Sequence, residues 1–216
     1  MRVLSIVKEP LDVATILMEF GVERDQLLDV VAAVVAERAN AVPNDPVTAE
    51  GQFAYIYGTR HTRFVFQKAG YVNGRENGVE FVEHPDTGVK VLYQSVDGAC
   101  DVTRSPKAIS GKGDGSAAIV NRAQSLPLFP EGELAEVLPP SVEEKNSSVW
   151  YFCVSVVQGK VAAELSRPAR IDGPNFVHFI ERIFILKPEE WGDFEVQRND
   201  TDDFDTVDVE PVVSRK

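Results

Sequence analysis

SVWYFCVSVVQGKVAAELSRPARIDGPNFVHFIERIFIL, residues 148–186, holds the densest run of β-branched and aromatic side chains in the chain. Trp150, Phe152, Val154 and Val156 alternate with Tyr151, Cys153, Ser155 and Val157. Both sets are largely apolar, so the strand they form has no wet face and belongs in the middle of a sheet. Gln158-Gly159 is a turn dipeptide, and residues 160–166 read as the returning strand of a hairpin. Pro168 is expected to end that strand, because proline has no N–H to give to a ladder. After the turn Asp172-Gly173-Pro174, residues 176–186 read as a third strand.

Charges interrupt this apolar stretch at Glu164, Arg167, Arg170, Glu181 and Arg182. Successive residues of a strand point to opposite faces, so Glu181 and Arg182 cannot both be buried on one side of the sheet. If the three strands form a meander, Glu164 and Arg167 come close to one of the two. Two readings follow: a structural ion pair at the sheet margin, or a polar site built on rigid strands.

Upstream, Val13, Ile16, Leu17 and Phe20 fall at helical spacing, with Gly21 where a C-terminal cap glycine belongs. Residues 23–39 read as a second helix with acidic residues in its first turn and Arg38 near its end. Residues 1–7 read as an edge strand or an extended lead-in. Asp45-Pro46 and Ala69-Gly70 bracket a third helix, although Gly51, Gly58 and the aromatic content of Phe53–Phe66 also suit strands. As a helix, this segment places Tyr57, Arg60, His61 and Phe64 on one side, a basic and aromatic patch. Val79–His84 and Val89–Gln94 flank Pro85-Asp86-Thr87-Gly88 and read as a β-hairpin. Residues 97–130 are the least regular part, with a short helix over Ser116–Ala123. Residues 127–145 read as a connector.

The fold expected is therefore α+β: N-terminal helices packed on an antiparallel or mixed sheet, as one domain over residues 1–192. Residues 193–216 read as an acidic, loosely ordered tail.

The chain has 216 residues and a formal net charge of −12 at pH 7. That balance argues against binding phosphate backbones or anionic membranes outside a local basic patch. The two cysteines, Cys100 and Cys153, are far apart and lack metal-ligand spacing. They suggest neither a disulfide framework nor a zinc site, and fit a reducing cytoplasm. No secretory leader or membrane span is read. There is no HExxH pair, no GxSxG elbow and no phosphate-loop pattern, since Gly111-Lys112 is followed by Gly113. Gly111–Ser116 could still wrap an anion through its backbone N–H groups.

Function reads first as a non-enzymatic macromolecular-binding module whose acidic surface engages a basic protein partner, without a cofactor. The binding residues picked out are Arg60, His61, Lys112, Glu181 and Arg182. The alternative is a metal-dependent phosphodiesterase or nuclease. There Glu164, Asp97 and Asp101 would gather around Mg²⁺ and Lys160 or Arg167 would face the phosphate, as sheet-borne carboxylate clusters do. Which residues would hold the metal is left open.

Overall fold

The computed structural model describes residues 5–123 and 148–192. In chain order the elements are β1 (Ser5–Val7), α1 (Pro10–Glu19), α2 (Arg24–Ala39), α3 (Ala49–Lys68), β2 (Val72–Glu76), β3 (Val79–Glu83), β4 (Lys90–Ser95), α4 (Asp114–Ala123), β5 (Val149–Val157), β6 (Lys160–Asp172) and β7 (Asn175–Leu186). The class is α+β, with the helices α1–α3 gathered at the N-terminal side of a mixed sheet. No described helix is long and apolar enough to cross a membrane. The connector and acidic tail read from the sequence lie outside the described residues.

All seven strands form one sheet in the order β1-β7-β6-β5-β4-β3-β2. β5 is thus the middle strand, as its two apolar faces require. Trp150, Phe152 and Val154 enter one core with Leu17, Leu27, Val31 and Phe66 of the helices. Val149, Tyr151 and Cys153 enter a second core with Leu92, Ile119 and Val120 on the side of α4. Full burial of side chains of this size is worth about 1.5–3 kcal/mol each, so β5 anchors both layers. Two pairings are parallel, β1 with β7 and β4 with β5. The second forces the chain to cross from one end of the sheet to the other between residues 96 and 148, carrying α4 over the far face.

Local signals account for most boundaries. Gly21, at φ +71°, closes α1 with paired bonds: its N–H donates to Met18 O and that of Val22 to Leu17 O. Glu23 and Gln26 form a reciprocal capping box at the start of α2. α3 is a helix throughout, beginning at Ala49 rather than directly after Pro46. Gly58 has a packing role there: a Cβ on it would lie 2.3 Å from the Tyr93 ring of β4.

Two differences from the sequence reading have physical causes. β2 was not expected. Its turn to β3 is Asn77-Gly78, both at positive φ (50° and 78°), which is the two-residue hairpin geometry that this dipeptide favours. Pro168 does not end β6, which continues to Asp172. The ladder with β7 shifts register on both sides of Pro168, and the pairing with β5 stops at Ser166. A proline is accommodated where the ladder is already irregular and one-sided.

A further bulge lies between Ala163 and Glu164, which pair with Leu186 and Phe184 and leave Ile185 without a partner on β6. The carbonyls freed there are taken up from both faces. Arg24 Nε of α2 donates to Ile185 O at 2.7 Å, and Cys100 Sγ lies 3.1 and 3.2 Å from Ala163 O and Leu186 O. Buried backbone groups need such partners, so the bulge locks α2 and the loop after β4 to the same point of the sheet.

Candidate functional site

The charged residues inside the apolar strands resolve into one buried network. Glu164 and Arg182 are 0% and 1% exposed. Arg182 Nε donates to Glu164 Oε1 at 2.8 Å and Nη2 to Oε2 at 2.7 Å. Ser166 Oγ donates to Oε1 and the Cys100 N–H to Oε2, each at 2.6 Å. Four donors therefore occupy both carboxylate oxygens, an arrangement that makes a buried charge tolerable. Arg182 Nη1 also donates to Asp101 O and Arg104 O, at 2.8 and 3.2 Å, tying the loop after β4 to β7. Cys100 stands at φ +60°, a region L side chains rarely take, and its amide faces Glu164 there. Burial first, then the neighbouring Glu164 charge, push the Cys100 thiol up, and burial does the same to Cys153.

The other carboxylates picked out from the sequence are not brought to Glu164. Asp101 turns back on its own loop, where Oδ1 accepts from Thr103 Oγ1 at 2.7 Å and Thr103 N at 2.8 Å. These bonds, the hydroxyl's first, hold its carboxyl below the ordinary value. Asp97 accepts from Lys107 N at 2.9 Å and pairs with Arg104 at 3.2 Å. Arg167 stands opposite Glu181 in the β6–β7 ladder, away from the Glu164 carboxylate. Partial burial raises the Glu181 carboxyl, with Arg167 opposing and Glu19 adding to it. Among the described residues no group of three or more His, Cys, Asp or Glu is placed to hold a metal ion. Arg60 and His61 lie on α3, with Arg60 4.5 Å over the Tyr57 ring and His61 stacked on Tyr57 and edge-to-face with Phe64.

Lys112 is placed differently. Its loop is wedged between two turns: a Cβ on Gly111 would lie 2.9 Å from Pro174, and one on Gly115 2.5 Å from Asn77 O. The Lys112 N–H donates to Pro174 O at 3.0 Å, fixing the loop against the β6–β7 turn. The side chain is thereby directed inward. Its ammonium lies 4.2 Å from the Tyr151 ring centre and 5.1 Å from that of Phe176, and donates to Gln94 Oε1. Gln94 Nε2 donates in turn to Ser95 O at 2.8 Å. Burial pushes the Lys112 amine down to about 8.

This ammonium borders a cleft of about 270 Å³. Gln94, Tyr151, Ser110, Ser116 and the first residues of α4 line it. The Tyr151 hydroxyl is buried without a well-formed hydrogen bond, although Ser116 lies close enough to affect its acidity. Lys112 was legible as a candidate, whereas Tyr151, Gln94 and Ser116 were not. Gln94 carried the available signal, as the one amide in the apolar strand VLYQS, and it is 7% exposed.

No family model matches the chain, and neither curated proteins nor solved structures give a match to it.

Proposed function

We propose that this protein is a non-enzymatic binding module whose acidic surface engages a basic protein partner. The observation that carries this reading is how the charge is divided. Residues 124–147 and 193–216 contain 13 of the 34 acidic residues but only 4 of the 22 basic ones. Among the described residues, several acidic side chains are paired with a base: Glu190 with Arg24, Glu50 with Arg38, Glu80 with Arg63, Glu83 with Lys90 and Glu76 with Arg122. Such an excess of negative charge acts over roughly a Debye length, about 8–10 Å at moderate salt, and attracts a positively charged partner before contact.

The metal-dependent phosphodiesterase draws no support from the network around Glu164. Its carboxylate would have to leave four donors to reach a cation, and Asp97 and Asp101 are engaged in their own loop.

The test keeps the chain whole. Asp200, Asp202, Asp203 and Asp205 are changed together to Asn, and affinity for an arginine-rich probe peptide is measured across a salt series. The module reading expects several-fold weaker binding and a shallower salt dependence. Unchanged affinity and salt slope would overturn it.

A further inference from the structure

We propose that the cleft beside Lys112 is a binding site for a small oxyanion, the carboxylate or phosphate group of a low-molecular-weight ligand. This proposal does not depend on any protein partner.

Three observations converge on it. The first is an ammonium without a counter-charge. Among the described residues Lys112 makes no ion pair, and its recorded contacts are two aromatic rings and the neutral Gln94 amide. The acidic residue nearest in the lining, Glu80, is already bonded to Arg63 and Arg75. A lysine offers three donors, so at least two remain after Gln94. The second is the Tyr151 hydroxyl. Tyr151 is 1% exposed, its oxygen has no well-formed hydrogen bond, and the residue lines the same cleft. Ser116 stands beside it without well-formed bond geometry, so an incoming acceptor oxygen would give this buried donor a better partner. The third is α4. Gly113, Gly115 and Ser116 bring its N-terminal turn to the cleft, where backbone N–H groups without intrahelical partners and the helix dipole favour negative charge.

Size narrows the class. About 270 Å³ lies just under the usual range for drug-sized ligands, so the pocket suits an anionic headgroup with a short remainder. The rigid bracing of Gly111 against Pro174 and of Gly115 against Asn77 means that the donors are held in place before a ligand arrives. Lys112 thus serves as the charge partner, Gln94 as the group that orients it, and Tyr151 as a second donor.

The experiment titrates the full chain by calorimetry and amide NMR with sodium phosphate and, separately, sodium acetate, against sodium chloride at matched ionic strength. Lys112→Met and Tyr151→Phe are run beside the wild type. Lys112→Met keeps an unbranched side chain one atom shorter and removes a buried charge, so it is expected to stay folded, and its melting curve checks that. The proposal expects saturable binding of at least one oxyanion, with shifts confined to residues 110–117, Gln94 and Tyr151. Lys112→Met should weaken it about tenfold or more, and Tyr151→Phe severalfold. Tighter binding of phosphate would place the ligand among phosphate esters, and tighter binding of acetate among carboxylic acids. Effects no larger than those of chloride, or full affinity in a folded Lys112→Met, would overturn the site.

Discussion

Arg182 and Glu164 meet through two parallel hydrogen bonds, of 2.8 and 2.7 Å, at a point of the sheet where neither side chain reaches solvent. A pair so enclosed is a poor candidate for chemistry and a strong determinant of which loop lies on the sheet.

Removing one member leaves the other charged and dry. Glu164→Ala is therefore expected to cost about 3–5 kcal/mol, measured by denaturant unfolding. Replacing both, as Glu164→Leu with Arg182→Met, should recover most of that loss, because two apolar side chains of similar volume need no partners. The double variant should still differ in one respect. Arg182 no longer holds Asp101 O and Arg104 O, so amide hydrogen exchange at residues 100–104 should quicken while global stability returns.

The seat of α3 on the sheet depends on a missing side chain. Gly58→Ala places a methyl 2.3 Å from the Tyr93 ring and should lower stability by about 1–3 kcal/mol despite the better helix propensity of alanine. Tyr93→Leu in the same chain should return part of it. Thermal melts of the single and double variants decide the matter: a stabilising Gly58→Ala would mean that α3 does not sit this close.

Lys112 gives stability a pH signature. An ordinary lysine titrates near 10.5, whereas burial brings this one to about 8. Between those values the unfolded chain binds more protons, so stability rises with pH through that window and is lost again as pH falls through 8. Cys100 and Cys153 act in the opposite sense. Their thiols, raised by burial from an ordinary 9.0, stay protonated in the fold while the unfolded chain ionises, so stability falls above pH 9. The Lys112 effect should stand clear between pH 8 and 9, and Lys112→Met should flatten the rise there in urea titrations.

Those two thiols should also be unreactive. The thiolate is the attacking form, and both cysteines are held as thiols, Cys153 with no exposure at all. An aromatic disulfide reagent at pH 8 should label the native protein orders of magnitude more slowly than the urea-unfolded chain. Rapid labelling of Cys100 would show that the loop after β4 opens readily.

Much of the architecture could be read from residue patterns because it rests on local periodicity. The two apolar faces of 150–157 place β5 at the centre, and the spacing of Leu27, Val31 and Val34 places α2. What escaped was set by relations between distant segments. Pro168 stops a strand only if the ladder needs its N–H, and the bulged pairing with β7 removes that need. Gly58 counted toward a strand until the Tyr93 ring explained it as a close approach. Asn77-Gly78 carried a hairpin signal that was overlooked because Val72–Glu76 is short and polar. For the cleft, Lys112 sat in a visible glycine-rich loop, but its meeting with Tyr151 depends on the crossing from β4 to β5, which no spacing along the chain displays.

The pairing of Ser5 with Glu181 has a bearing on how the molecule comes into being. A ribosome delivers β1, the three large helices and β2–β4 long before it delivers β5, the strand on which both cores rest. Until the hairpins of β5–β7 emerge, the apolar sides of α2 and α3 have only a partial sheet to cover, and β1 has no neighbour. Assembly is therefore a late event involving distant parts of the polypeptide, slow by its topology and reliant on the nascent chain staying unaggregated in the meantime.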